Sequence, residues 1–199
     1  MARAVARWRP YLVLVCLCVG LSACGSSLPA PPKYPEPDFS AELPLIVDAG
    51  RIDVHIADSM NEADPDFPIT PLEVMRRWLD ERIRVGGDST NTLRFVIYRA
   101  SGARLDVPYD AEGKPISGHK TVEEYEVVLE AALELIGPDG TMIHSASTSV
   151  SDARNIKPDA SRDERQQASY DLVNDAMSKF DRQMEAQIRD VFGPYLLSR

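Results

Sequence analysis

Three cysteines, three histidines and two alternating rows, one of glutamate and one of serine, are the residues of this sequence with chemistry to offer. Cys16 and Cys18 lie inside an apolar run that ends at Cys24, with Gly25, Ser26 and Ser27 directly after it. A thiol there could be a nucleophile, a metal ligand or a point of acylation. His55, His119 and His144 are far apart in the chain, and Asp110, Glu112 and His119, though close together, match no metal-ligand spacing. Ser145, Ser147, Ser149 and Ser151 alternate with Ala146, Thr148 and Val150, the mark of a polar strand face; a nucleophile elbow would need flanking glycines. Glu124, Glu126, Glu130 and Glu134 could be imagined as an acid and base pair for glycoside cleavage. Their even spacing reads instead as the wet side of an antiparallel sheet. There is also no glycine-rich phosphate loop. No catalytic, cofactor-binding or metal-ligating residue is therefore assigned, and the chain is expected not to be an enzyme and to need no cofactor.

The residues ahead of Cys24 narrow the role of its sulfur. Arg3, Arg7 and Arg9 form a positive start, and the stretch from Tyr11 to Leu21 is almost wholly apolar, as in a secretory signal. That run is short of the ~20 apolar residues a spanning helix needs. The sequence Leu21-Ser22-Ala23-Cys24 resembles the lipobox of bacterial lipoproteins. The resemblance implies that residues 1–23 are a signal peptide removed on maturation and that the Cys24 sulfur is the lipid attachment site. It implies further that diacylglyceryl and N-acyl (palmitate-type) chains hold the protein to a membrane. One chain would be marginal, since each buried methylene contributes only ~0.8 kcal/mol, so the multiple chains of that modification matter. In the same family an aspartate after the cysteine favours inner-membrane retention. Gly25 in that position implies sorting to the outer membrane of a Gram-negative cell envelope, on its periplasmic face.

Charge and size limit what stands behind the anchor. Removing residues 1–23 leaves 176 of 199 residues, enough for one domain with a real core. The removed segment carries three Arg and no acidic residue, so the remainder has 19 basic against 31 acidic residues, a net of −12. Such a surface repels phosphate backbones, which excludes nucleic acid as a partner, and it repels anionic headgroups, leaving adhesion to the lipid. With Cys24 alkylated no thiol remains, so the domain has no disulfide, no cysteine nucleophile and no thiolate metal site.

The elements that must carry these residues follow in order. Residues 24–44 contain Pro29, Pro31, Pro32, Pro35, Pro37 and Pro44 and read as an extended tether, ~3.1 Å per residue. Tyr34 and Phe39 could instead pin its far end to the domain. A single domain is expected over 45–199. Ile52, Val54 and Ile56 alternate with Asp53 and His55, a strand pattern that begins the folded part after Leu45 to Val47. Thr70, Pro71 and Glu73 form a capping box with proline at the first helical position. The stripe Leu72, Met75, Trp78, Leu79 and Ile83 predicts a helix that runs on to Gly86-Gly87. Residues 92–100 read as a strand continued over 103–107 after a bulge or turn at Ser101-Gly102. The thirteen residues 108–120 read as a long loop, either mobile or a contact loop. Residues 122–136 alternate Tyr125, Val127, Leu129, Ala131, Leu133 and Leu135 with the glutamate row and predict a strand despite helix-favouring composition. The turn Gly137-Pro138-Asp139-Gly140 makes it a hairpin with residues 141–150. Ser161 and Glu164 start a second capping box, and the apolar period from Ala168 to Val191 predicts a helix of about thirty residues, ~45 Å long, whose end would overhang a four-stranded sheet. Tyr195, Leu196 and Leu197 either fold back on the domain or serve a partner.

This order predicts an α+β fold: a two-layer sandwich, two helices packed on one face of a mainly antiparallel sheet of about four strands. Behind a lipobox, the layout over 45–197 resembles the auxiliary envelope lipoproteins of the lipopolysaccharide-assembly and lipid-transport ABC type. The resemblance implies a non-enzymatic accessory or assembly factor for a membrane-associated protein complex, with an envelope protein as partner. The alternative is a lipoprotein that binds a lipid or small apolar ligand in a cavity lined by Trp78, Phe95 and Phe180.

Overall fold

The computed structural model describes residues 33–57, 63–108, 121–157 and 159–198. The lipobox with Cys24, and the residues Asp110, Glu112 and His119, lie outside the described residues. The chain divides into Met1–Pro32 and a compact unit, Lys33–Arg199.

The fold is α+β. Strand β1 (Leu45–Asp48) and β2 (Arg51–Ile56) precede helix α1 (Pro71–Arg82), which leads directly into β3 (Ile83–Gly86). Then come β4 (Thr92–Pro108), β5 (Thr121–Ile136), β6 (Met142–Ile156) and α2 (Arg162–Val191), closed by a 3-10 turn at Gly193–Tyr195. The main sheet has the order β2-β4-β5-β6; β2 pairs with β4 in parallel, and the other two pairings are antiparallel. A parallel β1-β3 pair forms a second, smaller sheet.

Both capping boxes form as the sequence predicts: Thr70 accepts from the Glu73 amide and Ser161 from the Glu164 amide, with each glutamate returning to the cap backbone. The first helix stops earlier than its apolar period suggests. Ile83 is buried and at helical spacing, but its backbone is extended (φ −115°, ψ 132°), and residues 83–86 pair with β1. The Gly86-Gly87 pair read as the end of the helix ends β3 instead, with Gly87 in the left-handed region at φ +83°. The fourth strand is continuous through Ser101-Gly102; its irregularity lies between Ile97 and Arg99. Gly102 has a different reason to be glycine, since a Cβ there would come within 2.7 Å of the Phe67 ring.

The inner face of the sheet and the two helices make the core. Tyr125, Val127, Leu129, Ala131, Leu133 and Leu135 from β5 are all sealed from solvent, as are Val173, Ala176, Phe180, Met184 and Ile188 from α2. The overhang expected of the long helix does not occur. Its partner strands run to 15 to 17 residues, and at ~3.3 Å each they match its ~45 Å. The tail folds back: Leu196 bridges Val47, the Leu197 amide donates to the Ile46 carbonyl at 2.9 Å, and Tyr195 packs on His144 at 5.3 Å between ring centroids.

Candidate functional site

Residues 33–44 are the part of the described chain that leads toward Cys24, and of the two arrangements the sequence allows, the pinned one is found. Lys33 pairs with Asp163 at the start of α2 (3.1 Å). The Tyr34 ring packs on Tyr170 (5.4 Å), whose hydroxyl donates to the Pro35 carbonyl (2.9 Å). Glu36 accepts from Arg77 (2.6 Å), and the Phe39 amide donates to Glu81 (2.7 Å) while its ring rests on the core. The strap therefore runs along the helical layer in the direction of α2. An extended proline-rich chain suits this use, because it has little conformational entropy to lose.

The strap ends on a buried arginine. Arg82, 1% exposed, sits at the last position of α1, and its guanidinium reaches two other chain segments at once, the strap and α2. Nε donates to Asp181 (3.0 Å), Nη1 to the Leu43 carbonyl (2.8 Å), and Nη2 pairs with Glu42 (2.9 Å) and Glu185. The Trp78 indole donates to the same Asp181 oxygen (2.7 Å). Asp181, 8% exposed, thus receives two donors, which a buried carboxylate requires. Burial alone would push the Glu185 carboxyl up, but the hydrogen bond from Arg189 and the charges of Arg82 and Arg189 outweigh it and hold Glu185 below the usual carboxylate range. Glu42, Asp181 and Glu185 converge closely enough to suggest a cation site. The Arg82 guanidinium already supplies positive charge to all three, so the cluster is an ion-pair node tying strap, α1 and α2.

A second polar lock holds the other end of the helical layer. Tyr125 donates to Asp66 (2.6 Å), and Ser169 donates to the Asp66 carbonyl (2.7 Å). Burial, and then the bond to Asp66, push the Tyr125 hydroxyl above the usual phenol range. Arg165 grips Glu123 with two bonds (2.5 and 2.8 Å), and that grip holds the Glu123 carboxyl below its ordinary value.

The other residues singled out by sequence are dispersed. His55 is exposed on β2, and His144, on β6, packs against Phe192 and Tyr195. The serines of β6 form an exposed row on the sheet face opposite the helices. Of the glutamate row, Glu130 is exposed and Glu124 and Glu126 are half-buried, as a solvent face requires, but Glu134 is 7% exposed and bound by Arg94 (2.6 Å). Trp78, Phe95 and Phe180, proposed to line a ligand cavity, pack on one another at 5.8 and 5.2 Å and are fully buried, so side chains fill that space. Open depressions lie elsewhere, among them one of about 590 Å³ beside Arg51, His55, Asn91, Arg94 and the Gly137–Gly140 turn, one of about 310 Å³ over the β6 serines, and one of about 290 Å³ between the strap and α2. Among the described residues no helix is long and apolar enough to cross a membrane.

Sequence reasoning missed Arg82 and Asp181. Arg82 stands four residues after Trp78 and seven after Met75, inside the apolar stripe, and Asp181 stands four after Met177 and three before Met184. A lone charge in each of two core-facing stripes, of opposite sign, is the signal that would have found them.

No family model and no curated protein matches the sequence. Solved structures similar to this chain include the minor lipoprotein of Acinetobacter baumannii, at 13% identity and a TM-score of 0.38, covering 71% of this chain and 94% of that one. They also include rare lipoprotein B of Shewanella oneidensis, at 11% identity and a TM-score of 0.28, covering 68% and 99%.

Proposed function

We propose that this chain is a lipid-anchored lipoprotein of the Gram-negative envelope, held by Cys24 on the periplasmic face of the outer membrane. There it serves as a non-enzymatic accessory or assembly factor for a membrane-associated protein complex. The observation that carries the reading is Leu21-Ser22-Ala23-Cys24 at the end of a positively headed apolar run. The described part supports it in two ways. The strap delivers the chain from the anchor onto a rigid surface through a series of specific bonds, and the residues with potential for chemistry are spread over the sheet and helices rather than gathered in one cleft. The interior supports a partner-binding role over a ligand-carrying one, since the aromatic trio that would line an apolar cavity is packed ring on ring.

Intact-mass analysis of the mature protein tests the anchor. The expected product begins at Cys24 and carries diacylglyceryl and acyl mass, and Cys24→Ser leaves an unprocessed, lipid-free chain. A mature protein that starts elsewhere, or carries no lipid, refutes the reading. Crosslinking in the envelope with this protein as bait is expected to yield a stoichiometric membrane-associated protein, and recovery of the bait alone under every condition refutes the accessory role.

A further inference from the structure

We infer that the domain stands end-on to the bilayer, with the start of α2 and the end of β6 toward the lipid and the Gly137–Gly140 turn directed away from it. The inference rests on the proposed anchoring at Cys24 and adds an orientation to it. It follows from where the chain enters the folded unit and how much chain remains before that point.

The entry point is fixed. Lys33 is tied to Asp163, and Tyr34 and Pro35 are tied to Tyr170, so the strap joins the domain at the N-terminal end of α2. The end of β6 lies at the same place: Ile156 pairs with Glu123, and Glu123 is gripped by Arg165 in the first turn of α2. From there β6 runs back to Met142, beside the Gly137–Gly140 turn, a length of ~50 Å for its 15 residues. The long axis of the domain thus has an entry end and a far end.

Only residues 25–32 separate Cys24 from Lys33, and three of them are proline. At ~3.1 Å per residue they reach ~25 Å. To turn the far end toward the lipid, the entry end would have to be held ~50 Å above the surface, twice what this lead can span. Lying flat brings the acidic body, net −12, against headgroups that are themselves anionic, and at physiological salt that repulsion acts within ~8 Å of the surface. Upright is the arrangement that satisfies both the short lead and the charge.

The test uses the full lipidated chain in vesicles of phosphatidylethanolamine and phosphatidylglycerol. Maturation leaves Cys24 acylated and no other cysteine, so one engineered thiol can be labelled cleanly. Donor dyes at Lys157→Cys, just past β6, and at Pro138→Cys, in the far turn, are read by energy transfer to an acceptor on the lipid headgroup. Transfer is expected to be several-fold stronger from position 157 than from position 138. Inserting ten Gly/Ser residues after Pro32 is expected to narrow that difference. Equal or reversed transfer in a chain shown by mass to be lipidated overturns the orientation and leaves the anchor standing. A difference unmoved by the insertion also overturns it, since the short lead would then not be its cause. A chain that carries no lipid on Cys24 refutes the anchor and the orientation together.

Discussion

Two arginines in this domain meet carboxylates in opposite surroundings. Arg82, on the helical side, is 1% exposed and binds Asp181, Glu185, Glu42 and a backbone carbonyl from two distant segments. Arg94, on the open side of the sheet, has a side chain 36% exposed and binds Glu134 on the neighbouring strand. The first set fastens the strap and α2 to the end of α1. The second decorates strands already registered by a backbone ladder, Arg94 lying opposite Glu134 in the β4-β5 pairing. A buried charge is costly wherever it stands, and it becomes an organising centre only where its partners come from different elements.

Removing Arg82 should therefore produce the largest effect. Arg82→Ala leaves Asp181 buried without a counter-charge, while Glu185 keeps Arg189, and a loss of ~3–5 kcal/mol is expected in urea unfolding. Acid attacks both this node and the Arg165–Glu123 pair at the other end of the helical layer. Glu185 and Glu123 are held below their ordinary values, so both bind fewer protons folded than unfolded near the unfolded titration. Their contribution is complete above the ordinary carboxylate value of ~4.3 and is lost as pH falls below it through the folded values, so the unfolding midpoint should drop on acidification beneath that point. Trp78→Phe keeps one aromatic ring but deletes one of the two donors to Asp181 and leaves a small cavity in the sealed core, an expected cost of ~2–3 kcal/mol in the same assay. Arg94→Ala should cost ~1–2 kcal/mol, because Glu134 loses its partner at 7% exposure but the backbone ladder remains. A result in which Arg94→Ala matches Arg82→Ala would erase the distinction between the two sides.

The same contrast explains what could be read from the sequence. Local signals were legible: the two capping boxes, the Gly137-Pro138-Asp139-Gly140 turn and the alternation of β5 each depend on neighbours in the chain, and each stands as read. Signals that depend on distant partners were not. Ile83 fits a helix by period and is drawn into a strand by β1, and the tail residue Leu196 finds its place only against Val47. The strap was half legible, since its proline content declares an extended form but not the helices it lies on. Arg82 and Asp181 were hidden by the habit of assigning charges to the wet side of a helix.

The join between Leu196 and Val47 also bears on how the domain folds. The free edge of β1 opposite β3 is covered by residues from the far end of the same chain, so it stays open until nearly all of the polypeptide has been made. Under the anchoring proposed for Cys24, the lipid site belongs to the first part of the chain to be made and this seam to the last.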